Sequence, residues 1–393
     1  MRKSGRVVNI IAVWLVSAAA YTCSWALDVV LFAATPLFAI FSYACLFVLV
    51  LGGGASRVRK PTRADFFVFL FLFWVFLSCL WSYDSLTSFR LAYYYVLSFI
   101  LFFLIEHLTF EPAAWRRVGV FFVLGAVTAG ALLMSRAALY GISLDERETI
   151  GGINANYIAY SLATAIPILL GVAQGSSRGV IVRAFELAAL VVLVGGTMVT
   201  GSRSGLFAAV IGLVFFWGFQ GQRSLGYVFV ALLLAVSVIF AFYDFLPEEL
   251  RARIDLVEFF ATGGGSVNEN LSGRSDVWPL AFDYFSNNII GGIGVGAFAV
   301  VNPYGFGVHN VPLSLAAELG VVGFLLYFLI IWAVMYQAIF RASNPVSRGV
   351  ALNLLAVWIP ISLSGVWESV PVAWAAFALV AALSCHPRQV SER

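Results

Sequence analysis

Charge is scarce in this chain. Of 393 residues, 11% are Asp, Glu, Lys or Arg, where a soluble globular protein carries about 25%. Too few polar side chains remain to cover a surface facing water, which excludes a soluble enzyme, a disordered chain and a nucleic-acid binder. Histidine occurs three times, and no group of His, Cys, Asp or Glu has the spacing of a metal site, so neither a metal nor another cofactor is expected. Of the four cysteines, Cys23, Cys45 and Cys79 lie inside apolar runs and Cys385 precedes a basic tail. No two share an exposed loop, so disulfides are not expected either.

What the chain has in quantity is apolar surface, with 62% hydrophobic residues and a mean hydropathy of +0.95. A membrane crossing takes about 20 predominantly apolar residues. Apolar runs separated by charged or Gly/Pro-rich breaks predict helices at 7–27, 29–52, 65–83, 88–106, 118–140 and 154–174 in the first half. The second half offers 184–200, 205–221, 225–244, 319–340, 349–366 and 369–385. The expected fold class is therefore an all-α polytopic membrane protein with about 12 transmembrane helices. The N-terminus, with Arg2, Lys3 and Arg6 before an apolar run, resembles a signal peptide. A second apolar run follows almost at once, which favours an uncleaved first span.

Basic residues fix the orientation. With the N-terminus in the cytoplasm, 16 of the 23 Lys and Arg fall on that side, and seven fall outside: Arg90, Arg136, Arg147, Arg203, Arg251, Arg253 and Arg274. Short loops that retain Lys and Arg set topology, so both termini are expected inside. Gly201-Ser202-Arg203-Ser204-Gly205 interrupts what would otherwise be one apolar run of 37 residues. A helix of that length would reach roughly 55 Å against a hydrocarbon core of about 30 Å. A turn at the glycines is the better reading, with Arg203 at the outer face.

One long segment, 245–311, is expected outside the membrane and divides the chain into spans 1–244, this loop, and a final block 312–393 of three spans and a cytoplasmic tail. Apolar residues recur at helical intervals over 247–260 and again over 275–285, with Gly263-Gly264-Gly265-Ser266 between them and a glycine-rich turn at 291–296. An outer loop of this length with its own helices is usually functional.

The polar residues that could do chemistry collect on the outer side: Arg90, Arg147, Asn156, Arg203, Arg274, His309, Asn310 and Glu318. Arg203 could snorkel or cap a helix, or its guanidinium could hold a phosphate beside two hydroxyls. Arg274 is either a solvated loop charge or an anion ligand at a helix N-terminus. His309 is the one histidine expected outside, and the one group there whose ordinary pKa, about 6.5, suits an acid or base near neutrality. A lone histidine is also commonly structural. Glu318 either orients this region or is an interfacial carboxylate. Gly201–Gly205 is not a nucleophile elbow, since its central residue is Arg. The Gly294, Gly296, Ala299 spacing lacks the preceding strand that a nucleotide site requires.

Three segments together resemble the O-antigen ligase and Wzy-type polymerase superfamily of bacterial envelope glycan enzymes. They are Thr200–Gly212 (TGSRSGLFAAVIG), Gly273–Trp278 (GRSDVW) with the downstream Gly291–Phe298 (GGIGVGAF), and His309–Phe324 (HNVPLSLAAELGVVGF). Gly151-Gly152-Ile153-Asn154-Ala155-Asn156 is similar to a weaker asparagine-containing family segment. The resemblance implies a GT-C-like, metal-independent glycosyltransferase of the bacterial inner membrane, with a periplasmic active site. Its donor would be an undecaprenyl-diphosphate-linked glycan and its acceptor a glycan or glycolipid, with room for a chain-length regulator protein as partner. By match to the motifs, Arg203 and Arg274 would hold the diphosphate and His309 would assist the acceptor hydroxyl. The compact stretch from Gly273 to His309 ranks a polymerase before an O-antigen ligase acting on lipid A core. A flippase for the same lipid-linked glycan, or another transporter, is the alternative without chemistry.

Overall fold

A computed structural model describes residues 2–25, 30–31, 35–52, 59–140, 154–174, 179–218 and 274–386. They form helices α1 (Arg2–Trp25), α2 (Leu37–Leu51), α3 (Arg63–Ser78), α4 (Ser85–Leu108), α5 (Pro112–Tyr140), α6 (Ala155–Ala173), α7 (Val180–Val199) and α8 (Arg203–Gly218). After the undescribed stretch come α9 (Arg274–Asn287), the single turn α10 (Phe298–Val301), α11 (Val311–Tyr336), α12 (Pro345–Ser362) and α13 (Pro371–Leu383). The only strands among the described residues are β1 (Val30–Leu31) and β2 (Thr35–Pro36), paired antiparallel.

Among the described residues, seven helical segments are long and apolar enough to cross a membrane: Val7–Ser24 of α1, then α4, α5, α6, α7, α11 with its π-helical extension to Arg341, and α12. The chain is a polytopic helical membrane protein. Eleven of the twelve expected spans coincide with a described helix. The ninth, 225–244, lies outside the described residues, as does the amphipathic helix expected over 247–260.

Lipid offers helices no hydrophobic reason to associate, so close packing and buried hydrogen bonds hold them together. Between α5 and α7 a Cβ added to Gly196 would stand 2.7 Å from the Gly130 Cα, which only paired glycines permit. Hydroxyls and indoles supply the other ties. Ser24 Oγ donates to the Phe122 carbonyl at 3.0 Å, Ser161 Oγ to the Ser24 carbonyl at 2.6 Å, and Trp115 Nε1 to the Leu379 carbonyl at 2.7 Å. α6 is the central helix, 83% of its span being buried, and it packs against α5, α7, α8 and α12. Beside it, Phe99 and Trp374 meet at 4.3 Å between ring centroids, and Tyr327 bridges Trp374 and Phe71 at 5.4 and 5.8 Å.

The span expected at 319–340 begins eight residues earlier, at Val311. Asn310 caps it by accepting the Leu313 N–H at 3.0 Å, and Pro312 fits the first turn, where no N–H is needed. Hydropathy missed this start because the helix is broken at Gly320, whose φ of 66° and ψ of −171° end the regular coil. A break inside a membrane is tolerated only if the freed backbone groups find partners, and here the segment 289–294 provides them. Ile293 N–H donates to the Ala317 carbonyl at 3.1 Å, Gly294 N–H to that of Glu318 at 2.9 Å, and Val321 N–H to that of Ile289 at 2.8 Å. The Leu319 carbonyl accepts Trp74 Nε1 at 2.9 Å.

Candidate active site

The turn expected at 201–205 is present. α7 ends at Val199, Gly201 takes a φ of 64°, and α8 opens at Arg203, whose side chain is exposed. The next residue, Ser204, places its hydroxyl 2.8 Å from that of Tyr160 on α6. Tyr160 also reaches the Ser364 hydroxyl at 3.0 Å, in the loop between α12 and α13. One phenol thus ties three elements at the same rim. Tyr160→Phe is expected to lower stability by about 1–3 kcal/mol, because the hydroxyl it removes leaves Ser204 short of a buried partner; thermal unfolding in detergent measures it.

Arg274 is the first residue of α9. One turn on, Trp278 Nε1 donates to the Val308 carbonyl at 3.0 Å, which fixes α9 against the residue preceding His309. His309 is half-buried beside Phe306 and is the only non-glycine residue among those described with a positive φ, 52°. An imidazole-bearing residue in the left-handed region costs of order 1 kcal/mol and persists only where its surroundings enforce it. Two residues earlier, a Cβ on Gly307 would lie 3.1 Å from Val366. The neighbouring Trp367 packs on Tyr157 and Tyr160, with centroids 5.8 and 5.2 Å apart. A continuous set of contacts therefore runs from Arg274's helix through the His309 loop and the 363–370 loop to α6 and to Ser204, next to Arg203.

The other expected residues fall as follows. Asn310 caps α11 directly after His309. Asn156 is the second residue of α6, half-buried at the same rim, its N–H held by Asn154 Oδ1 at 2.9 Å. Arg90 is exposed on the second turn of α4. Arg147 lies outside the described residues. Glu318 is buried, and its carboxylate accepts the Gly296 N–H at 2.7 Å. This bond ties the glycine-rich turn to the broken helix.

Sequence reasoning missed Glu368. It sits in the 363–370 loop, 2% exposed, with Oε1 accepting the Ser314 hydroxyl at 2.8 Å and Oε2 without a hydrogen-bond partner among the described residues. Burial pushes its pKa up from 4.5 to about 7, opposed only in part by hydrogen bonds such as that from Ser314. Because the folded value lies above the unfolded one, this group's contribution to stability is complete below pH 4.5 and is lost as the pH rises to about 7. Glu368→Gln is expected to remove that dependence and to gain up to about 3 kcal/mol over the unsubstituted protein at pH 8, with little difference at pH 4. Unfolding curves of both proteins across this range check it, and parallel curves would refute it.

Among the described residues Asp65, Glu106 and His107 also come together, their ligand atoms within 4.8 Å of one another, on elements too far apart in sequence for spacing to show. Asp65 Oδ2 is occupied by the Thr62 N–H at 2.6 Å and by His107 Nε2 at 3.1 Å, so the group serves first as the N-terminal cap of α3.

The rim just described falls mostly within one recognisable unit. Residues 188–328 match the family Wzy_C, described as O-Antigen ligase, so this part of the chain is similar to the O-antigen ligase domain. Arg203, Arg274, His309, Asn310 and Glu318 lie within the matched residues; Asn156 and Glu368 lie outside them. No curated protein matches the chain. A solved chain from a study on "structural coordination of polymerization and crosslinking by a peptidoglycan synthase complex" aligns at 16% identity with a TM-score of 0.43, covering 82% of this chain and 96% of that one.

Proposed function

We propose that the protein is an inner-membrane glycosyltransferase of twelve spans and GT-C-like architecture. It would transfer a glycan from undecaprenyl diphosphate to a sugar hydroxyl at the periplasmic face, extending a polysaccharide by repeat units. The observation that carries this reading is His309, a residue of the matched domain held at a positive φ where the N-terminal ends of α9 and α11 meet the 363–370 loop. Arg203 and Arg274 bind the diphosphate and stabilise the charge that develops on it. His309 takes the proton of the acceptor hydroxyl as its oxygen bonds to the anomeric carbon. The bond from that carbon to the diphosphate breaks, and undecaprenyl diphosphate leaves with the electron pair. With no carboxylate assigned as covalent nucleophile, one displacement inverts the anomeric centre. Arg90, Arg147, Asn156 and Asn310 are assigned to binding donor and acceptor in this reading.

The description carried by the matched domain supports a second reading, an O-antigen ligase that delivers the glycan to lipid A core. Purified protein given donor lipid alone separates the cases. Longer glycan chains with free undecaprenyl diphosphate mark the polymerase, product only after addition of a lipid A core acceptor marks the ligase, and passage of unaltered donor across vesicles would replace both with a flippase.

A further inference from the structure

At the end of the bundle opposite His309 lies a cavity of about 550 Å³. α11 links the two, running from its Asn310 cap to Tyr336 over 26 residues, roughly 39 Å at helical rise. Arg59, Lys60, Arg63 and Arg341 all line this cavity, with Trp332 and Tyr336 forming an aromatic wall. The first turn of α3 opens onto it as well, and the N–H groups of a helix N-terminus favour an anion.

Among the described residues, carboxylates are fewer than these four cations. Asp65 is engaged by Thr62 and His107. Among the described residues the one carboxylate lining the cavity, that of Glu106, is buried and forms an ion pair with Arg59, its Oε1 4.0 Å from Nη1, without a hydrogen bond. Arg59 Nη1 is itself buried and without a hydrogen-bond partner among the described residues. A guanidinium N–H shut away from water with no acceptor marks the place of a missing acceptor. Three guanidinium groups and an ammonium suit an oxyanion of more than one charge, and the fork of arginine matches phosphate oxygens. The volume exceeds what a bare phosphate fills and falls in the range of ligand pockets. Trp332 is 50% exposed, and an indole with a tyrosine beside it is the pattern of a bilayer interface.

The geometry points to a binding site for a phosphate-bearing anion in this cavity, with Arg59 and Arg341 as its principal ligands and a lipid headgroup of the adjacent leaflet as the source that fits the aromatic wall. The site is separate from the chemistry at His309, and its test involves no glycan transfer.

Native mass spectrometry of the full-length protein in detergent, titrated with phosphatidylglycerol or with phosphatidylcholine, provides the test. Retention of one phosphatidylglycerol at least tenfold tighter than phosphatidylcholine is expected, with that preference lost in Arg59→Gln/Arg341→Gln. Should the double variant not fold, Arg341→Gln alone, at an exposed position, is expected to weaken retention severalfold. Inorganic pyrophosphate added as competitor distinguishes the sources: displacement of the lipid at equal concentration assigns the site to a soluble phosphate, and failure to displace assigns it to the headgroup. Equal retention of the two lipids, or a preference that survives both substitutions, would overturn the proposal.

Discussion

Replacing His309 with glycine is expected to give a protein that folds at least as well as the unsubstituted chain and turns over its donor far more slowly. The two effects have different causes. Glycine accepts a φ of 52° without the steric cost that a side chain meets there, so stability should rise by up to about 1 kcal/mol. The imidazole that would take the acceptor's proton is gone, and removal of a general base lowers turnover by about 10²- to 10⁴-fold. Thermal unfolding and turnover of purified donor lipid, measured on one preparation, test both halves. A variant that loses stability and activity together would instead indicate a histidine needed only for packing.

Gly320→Ala is expected to be the most damaging single substitution outside the reacting groups. The residue holds a φ of 66°, and a Cβ there would run into the Ile290 carbonyl with no flexible side chain to yield. It would also disturb the hydrogen bonds between 289–294 and Ala317, Glu318 and Val321. A loss of about 3 kcal/mol or more is expected, read as a lowered melting temperature or as failure to elute as a single species in detergent. Gly305→Ala, also at positive φ but with nothing within 4 Å of its Cβ, is the control: it carries the conformational cost alone, about 1 kcal/mol. Equal losses in the two variants would count against the stitched break.

Much of the architecture was legible because hydrocarbon imposes a simple rule on sequence: a span must be apolar and about 20 residues long. The turn before Arg203 was readable for the same reason, since a helix through Gly201 and Gly205 would have overshot the bilayer. The start of α11 was not, because hydropathy smooths over a break that only backbone hydrogen bonds from 289–294 make tolerable. Arg203, Arg274 and His309 stood out as polar residues at expected outer positions beside motifs. Glu368 did not. Its loop reads as an ordinary connection between two spans, and its hydroxyl partner, Ser314, is 54 positions away in sequence. The cavity at the other end was hidden likewise, since Arg59 and Arg341 read as routine topology signals until the fold sets them around one space.

The join at Gly320 also bears on how the two leaflets communicate. α11 touches His309 at one end and the basic cavity at the other, yet it is a jointed shaft and not an axle. Both segments, before and after the break, are fastened sideways to 289–294 by peptide groups, so the bend between them is pinned by a third stretch of backbone.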